Sequence, residues 1–181
     1  TISSPSFSHY TWSFWIKTSQ IDKNAILITE KNNSGSINYR ILLTKSGKIS
    51  CYGSCQTTKS GIDSSSIKVN DNIWHHIVVT VDNTMKLYID GVVTDSVLYN
   101  PGAWCSNSPV NYICGLFGTG VNTQYIGAID DIGLWSRSLT YNEIQNLYNG
   151  YTTNINSSEN LKYYLNNNLL SFIYIKSSSV D

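Results

Sequence analysis

"WHHIVVTVDNTMKLYIDG", residues 74–91, decides the fold because it contains two strands and two turn signals. Apolar residues alternate with a two-residue period from Trp74 onward, as in a strand with one buried face. Asp90-Gly91 is a strong hairpin dipeptide, and residues 82–84 form a second turn signal. Because neighbouring strand residues point to opposite faces, His75 and His76 cannot bind one metal ion together. We expect both to be hydrogen-bonded strand residues.

Strand patterns dominate the rest of the chain. In residues 10–17, "YTWSFWIK", every second residue from Tyr10 to Ile16 is large and apolar. Residues 38–53 read as two strands joined by a Ser-Gly turn, and residues 92–97 and 124–135 read as later strands. This pattern predicts an all-β fold, an antiparallel β-sandwich.

One short helix is predicted near the end, in "LTYNEIQNLYNG" at residues 139–150. Thr140 and Glu143 have the spacing of a capping box, and Leu139 with Ile144 has that of a hydrophobic staple. Gly150 is a C-terminal stop signal.

Composition limits the class of ligand. The 181 residues suffice for one domain, charged residues are 13%, and the formal net charge is zero, which argues against a nucleic-acid binder. The 13 Tyr and 5 Trp, with many amides and hydroxyls, suit neutral sugars. An AT-rich genome would give a similar bias without any function.

Apolar runs, the start of the chain and the cysteines bear on where the protein works. No apolar run reaches about 18 residues, so no membrane insertion is expected. The chain starts at Thr1 without a signal peptide, and we expect it to be part of a longer, secreted or cell-surface protein. The spacing of Cys51, Cys55, Cys105 and Cys114 does not fit zinc, which favours disulfides over free thiols. Cys51–Cys55 and Cys105–Cys114 is the preferred pairing, and others stay open.

Residues 74–91 together with "GAIDDIGLWSRSLTYNEIQNLYNG" at 127–150 resemble the laminin-G-like (LamG) domains of the concanavalin A-like lectin/glucanase superfamily. Their pattern is a W-x-H strand, a Y-x-D-G hairpin, a G-x-I-D-D strand and a short L-T/S-x-x-E-I helix. Residues 4–18 resemble the family's first long strand. The resemblance implies a jelly roll of two antiparallel sheets that binds glycans or proteins, often with calcium, and only sometimes cleaves glycosidic bonds.

The resemblance covers residues 1–150, which we take as the sandwich domain. The family's usual opening strand is absent before Thr1, but "ENLKYYLNNN" at residues 159–168 is similar to it. Residues 151–181 are therefore a linker and terminal strand. They either fold back to supply the missing strand, which we favour slightly, or begin a following repeat.

Counting strand directions predicts that residues 53–63, 82–85 and 98–111 meet at one rim, with all four cysteines. We expect Trp104, among turn formers in "NPGAWCSNSP", to contact glycan there, or else to pack against the disulfides. The other predicted ligand-binding residues are Tyr52, Asp63, Tyr99, Asn100, Asn107 and Tyr112. Trp12 and Trp74 are predicted core residues. The sheet face that carries Trp15 and Trp135 is the rival site.

Calcium is the candidate cofactor. One carboxylate of the Asp130-Asp131 pair is expected among apolar residues, where it needs Arg137, Lys17 or calcium as a partner. The resemblance raises calcium at Asp130, while Asp82 and Asp63 are weaker candidate ligands.

An enzyme is not expected. Of three glutamates, Glu143 belongs to the helix cap and Glu159 to the tail, which leaves Glu30 without a second catalytic carboxylate. We therefore predict a non-catalytic, lectin-like carbohydrate-binding module that binds a glycan or glycoprotein. The alternatives are a protein–protein adhesion module and a structural spacer of a larger surface or fibre protein.

Overall fold

The computed structural model describes residues 2–3, 9–31, 37–53, 60–63, 67–99, 110–114, 124–150 and 161–165 of the chain. In chain order its elements are β1 (Ile2–Ser3), β2 (Tyr10–Lys17), β3 (Ala25–Lys31), β4 (Ile37–Leu43), β5 (Ile49–Gly53), β6 (Ser60–Asp63), β7 (Trp74–Val81), β8 (Thr84–Ile89), β9 (Val92–Leu98), β10 (Val110–Ile113), β11 (Ala128–Trp135), α1 (Tyr141–Tyr148) and β12 (Leu161–Leu165).

The strands form two six-stranded antiparallel sheets. Sheet I has the order β1-β10-β3-β4-β5-β6, and sheet II has the order β12-β11-β2-β7-β8-β9. The predicted all-β antiparallel sandwich with one short helix is therefore confirmed. The predicted meander of residues 74–97 is also confirmed, as β7, β8 and β9.

The main core lies between the sheets and is built by strand alternation. Tyr10, Trp12, Phe14 and Ile16 of β2 are all buried and belong to it, as their two-residue spacing predicts. Side chains from both sheets meet here; Trp12 Nε1 donates a hydrogen bond to Tyr39 Oη of β4 at 2.5 Å.

A second, smaller core lies on the outer face of sheet II, under α1. It contains Trp135, Leu139, Ile144 and Leu147, with Val78 and Tyr88 of the sheet. The capping box is confirmed: Thr140 Oγ1 accepts from Glu143 N, and the Glu143 carboxylate accepts from Thr140 N at 2.8 Å. The helix ends with Asn149 as its C-cap, and Gly150 follows with φ +79°.

Two parts of sheet I differ from the sequence prediction. The strand β3 was not predicted, although "AILITE" is a short apolar run that fits a strand buried on both faces. Residues 60–63, which the direction count assigns to a rim segment, form the strand β6, Ser60–Asp63, which pairs with β5.

The C-terminal strand β12 pairs antiparallel with β11 and forms one edge of sheet II. This pairing is the arrangement that the fold-back alternative expects. The domain limits of 1–150 and 151–181 stay a prediction.

Candidate functional site

The two ends of the sandwich differ in how the strands are joined. At the end we call the rim end, β5 finishes at Gly53, β6 begins at Ser60, and β10 begins at Val110. The turn after Val81 and the end of β9 lie at the same level of sheet II. Segments 54–59 and 100–109 therefore both join strands at the rim end, as the direction count predicts.

Tyr52 is a predicted ligand-binding residue on the outer face of sheet I. It is half-buried, and a Cβ added at Gly61 would lie 2.7 Å from its ring, so the ring lies across the glycine. The Arg40 Cζ atom lies 5.5 Å from the ring centroid, within range of a cation–π contact. An aromatic ring and a guanidinium with several N–H donors are thus held together near the rim end.

Tyr112 occupies the same row of the sheet as Tyr52. The register runs from Tyr112 through Thr29 and Arg40 to Tyr52, across four neighbouring strands. The other predicted rim residues Asn100, Trp104 and Asn107 lie outside the described residues, so their contact with a ligand stays a prediction.

Tyr99 does not belong to a surface site. Its side chain is 7% exposed, and its ring lies against Gly53, where any added Cβ would collide with it. Its backbone N–H donates to Asn83 O at 3.0 Å. The prediction that Tyr99 contacts a ligand is therefore wrong, because the side chain fills the top of the core instead of facing solvent.

Asp63 does not lie at the rim either. It pairs with Ser50, three residues along β6 from the rim-end residue Ser60. At about 3.3 Å per residue this places its backbone roughly 10 Å from the rim. The reason is that β6 begins at residue 60 and runs away from the rim, whereas the direction count assigns residues 53–63 to a loop at the rim.

The cysteines do not all gather at the rim. Cys51 is buried in the middle of β5 opposite Ile41, and Cys114 follows β10, with its N–H bonded to Leu27 O at 2.8 Å. This places Cys114 at the far end of β10, about 13 Å from Val110, because β10 runs away from the rim. The prediction that all four cysteines cluster there is wrong.

The predicted disulfide pairs stay predictions, because Cys55 and Cys105 lie outside the described residues. Cys51 and Cys114 lie three strand spacings apart, about 14 Å, too far to bond to each other. Cys114 carries a free thiol in the structure, which does not support a bond to Cys105. Burial raises the pKa of this thiol to about 12, so it is unreactive near neutral pH.

Two of the three candidate calcium ligands have other partners. Asp82 Oδ1 accepts hydrogen bonds from Thr84 N at 2.7 Å and from Thr84 Oγ1 at 3.0 Å, as in a turn. Asp130 Oδ1 accepts from Asp131 N at 2.8 Å. The described part of the chain contains no group of three or more His, Cys, Asp or Glu residues that could hold a metal ion.

The expected burial of one carboxylate at Asp130-Asp131 is not observed. A β-bulge between Asp130 and Gly133 interrupts the alternation, and both aspartates are half-exposed. Arg137, one predicted partner, forms a two-bonded ion pair with Glu143 instead, at 2.8 and 2.5 Å.

The rival site at Trp15 and Trp135 is covered. Trp135 is 1% exposed beneath α1, and Trp15 stacks on Tyr148 of the helix with centroids 5.9 Å apart. The helix thus occupies the sheet face that a sugar would need.

The histidines have the structural roles that the alternation predicts. His75 Nδ1 lies 2.7 Å from Asp90 Oδ2, and its Nε2 lies 3.1 Å from Asp71 Oδ1. His76 is on the opposite face, where its Nε2 lies 2.8 Å from Ser13 Oγ. Burial lowers the pKa of His76 to about 4, so this ring is neutral at pH 7.

In the described part of the chain, the opposite pole, which we call the braced end, includes residues 18–24, 44–48, 67–73 and 124–127. Backbone bonds tie its segments together, including Asn72 N to Thr18 O at 2.9 Å and Val69 N to Gly47 O at 2.8 Å. Beside them Trp74 is 42% exposed, so its predicted core position is wrong. It is the first residue of β7, where the outer face extends beyond α1, and strand periodicity alone could not reveal this.

Comparison with known proteins identifies the family. The Laminin_G_3 model, described as concanavalin A-like lectin/glucanases superfamily, matches residues 1–145. The chain belongs to this superfamily. The resemblance seen in the sequence is thereby confirmed.

Two relatives of this superfamily member come from Paraclostridium bifermentans. The non-toxic nonhemagglutinin is 27% identical over 184 residues, which cover 92% of this chain and 14% of the relative. Paraclostridial mosquitocidal protein 1 is 32% identical over 165 residues, which cover 80% of this chain and 12% of the relative. The chain thus spans only a small part of each.

A solved structure agrees with the fold. The crystal structure of the binding domain of Paraclostridial Mosquitocidal Protein 1 has a TM-score of 0.63 and 27% identity. The match covers 81% of this chain and 38% of that chain.

Because the superfamily includes glucanases, we asked whether Glu30 or Glu143 could serve as a catalytic acid. Glu30 is 3% exposed and lies opposite Tyr39 in the sheet, facing the core. The Arg137 guanidinium holds the pKa of Glu143 down at about 2, so Glu143 is ionised and cannot donate a proton near neutral pH. Glu30 thus faces the core and not the surface, and Glu143 is ionised in an ion pair, so neither is placed to act as a general acid.

Proposed function

We propose that this chain is a non-catalytic binding module that takes a glycan at the rim end. The observation that carries the proposal is the arrangement of Tyr52 and Arg40. The ring offers an apolar surface for a sugar's C–H groups, and the guanidinium offers donors to its hydroxyls. The strand end at Gly53, from which residues 54–59 continue, is next to Tyr52, and we propose that Trp104, Asn100 and Asn107 complete the site.

Two further points support the proposal. The superfamily is a lectin and glucanase superfamily, and the solved relative at 27% identity is a binding domain. The chain's neutral charge and its abundance of Tyr fit an uncharged, hydroxyl-rich ligand. In the described part of the chain, no helix is long and apolar enough to cross a membrane. We also propose that the module works outside the cell, as part of a longer protein.

A glycan array followed by titration calorimetry with the best sugar tests the site. We expect Tyr52→Ala and Trp104→Ala each to weaken binding at least about tenfold, because aromatic contacts dominate such sites. Trp74→Ala, at the braced end, is the matched control and should leave the affinity unchanged. The titration is run with calcium and with EDTA, which tests whether calcium binds at Asp130 or Asp82 and contributes to the affinity.

Two results would overturn the proposal. One is failure to bind any sugar at millimolar concentration with or without calcium, which would favour a protein ligand or a spacer. The other is full binding by folded Tyr52→Ala and Trp104→Ala variants. Release of new reducing ends from the bound glycan would show that the module is an enzyme after all.

A further inference from the structure

Four large apolar side chains are exposed together at the braced end. Ile21 is 58% exposed, Ile73 56%, Trp74 42% and Ile126 59%. They come from three separate segments of the chain, and these segments meet around residues 17–20. From these fractions their combined exposed area is on the order of 400 Å², comparable to the largest apolar patch of a typical monomer, which is often functional.

The patch rests on a rigid base. The buried side chain of Gln20 donates to Gln124 O at 3.1 Å and accepts from Ile126 N at 2.8 Å, and its backbone O accepts from Asn70 Nδ2 at 3.2 Å. Thr18 Oγ1 donates to Ile126 O at 2.6 Å. These bonds hold the loops in place, so little conformational entropy is lost when the exposed side chains bind.

Basic residues lie at the same end of the sandwich as the patch. Five of the twelve lysines and arginines belong to or border the braced end: Lys17, Lys23, Lys45, Lys48 and Lys68. Lys17 pairs directly with Trp74 in the sheet. Of the nearby carboxylates, Asp71 and Asp90 are bridged by His75, while Asp22 is exposed beside Ile21.

We propose that the braced end docks on a lipid bilayer with anionic headgroups. Trp74 and the isoleucines enter the interfacial layer, where tryptophan is favoured, and the lysines contact the headgroups. The patch is about half of the roughly 800 Å² per partner that a stable protein interface buries, which favours a membrane surface over a second copy of the chain. Three of the four residues lie in loops at this tip of the sandwich, and Trp74 is the first residue of the adjoining strand β7.

This inference is independent of the proposed glycan site. The rim end lies at the opposite pole, so a docked module would hold Tyr52 away from the bilayer. Variants at one end therefore test one proposal and serve as controls for the other.

Sedimentation with vesicles tests the docking. Vesicles of phosphatidylcholine with one quarter phosphatidylserine are mixed with the full chain, and vesicles of phosphatidylcholine alone are the comparison. We expect binding that weakens at least about tenfold in Trp74→Ala and in Ile73→Ser, and that falls with added salt because the lysines contribute. Tyr52→Ala should bind vesicles like the unchanged chain.

Both tested positions are exposed, so the variants should fold, and thermal unfolding checks this. If Trp74→Ala loses stability, Ile21→Ser and Ile126→Ser carry the test. No sedimentation with either vesicle, or sedimentation that none of these changes affects, would overturn the proposal. So would concentration-dependent dimerisation abolished by Ile73→Ser, because the patch would then be an interface between copies.

Discussion

His76 is a single residue whose environment links sheet II to the helix. Its ring lies between Ser13, Trp15 and Tyr148, with Trp15 stacked at 5.0 Å and Tyr148 at 6.1 Å between centroids. The Nδ1 atom is buried and has no hydrogen-bond partner in the structure. Protonating this ring would place a charge in an apolar layer, which is why burial lowers its pKa.

This shift predicts a pH-dependent stability. Between the ordinary value of 6.5 and the folded value of about 4, the unfolded chain binds a proton that the folded chain does not. The free energy of unfolding should therefore decrease as the pH falls through this window, by on the order of 3 kcal/mol. Urea unfolding at pH 7 and pH 4.5 measures the change.

His76→Gln is the control, because glutamine can still bond Ser13 but does not titrate. Its stability should depend less on pH across the same window. The folded state lowers the pKa of Glu143 from 4.5 to about 2. The stability that this ion pair provides is therefore lost mainly below pH 4.5, outside most of the window of His76. Equal pH dependence in the two proteins would contradict the burial of a neutral His76.

At the scale of the element, α1 is a short helix that depends on its cap and on packing. Eight residues are too few for a stable isolated helix, so Ile144 and Leu147 must pack against sheet II. Glu143 accepts from Thr140 and from Arg137, which fixes the start of the helix next to Trp135. The cap therefore stabilises the cover over the outer face of the sheet.

Thr140→Ala should reduce the free energy of unfolding by about 1 kcal/mol, because the side-chain acceptor for Glu143 N is lost. Asn142→Ala, at an exposed position of the same turn, should have a much smaller effect. Urea unfolding of both variants at pH 7 makes the comparison. Equal stabilities would show that packing alone holds the helix.

At the scale of the whole molecule, β12 closes one edge of sheet II. Without it, β11 would present a row of unpaired backbone groups to solvent, a common cause of aggregation. On the opposite side of sheet II the edge is β9, whose residue Leu98 is 82% exposed. Asp95, in the middle of β9, would face itself in a symmetric antiparallel pairing with a second copy, which disfavours that pairing.

A chain that ends at residue 150 should melt at least about 5 °C lower than the full chain and self-associate more readily. A chain that ends at residue 168 keeps β12 and is the matched control. Calorimetry and light scattering give the two readouts. Identical melting of both shortened chains would mean that β12 adds nothing to the sandwich.

The sequence was sufficient for most of the fold and for little of the candidate site. Alternation from Trp74 to Ile89 located the meander, and the Thr140–Glu143 spacing located the helix, because both signals are local. Strand periodicity predicts a buried Trp74, and the loop position predicts an exposed Tyr99, and both predictions are wrong. Trp135 does lie on the outer face of sheet II, but the helix buries it there. Exposure depends on which element lies over a residue, and no local pattern contains that information.

The amino-acid order alone determined the strand faces, the turns, the helix cap and the superfamily. The strand faces, the turns and the helix cap follow from dihedral preferences and from residues within a few positions of one another, whereas the superfamily rests on the resemblance of whole motifs. Only the tertiary structure decided that Cys114 lies away from the rim, that α1 covers Trp135, and that four apolar side chains meet at the braced end. These facts depend on strand register and on contacts between segments far apart in the chain, which are fixed only when the two sheets pack.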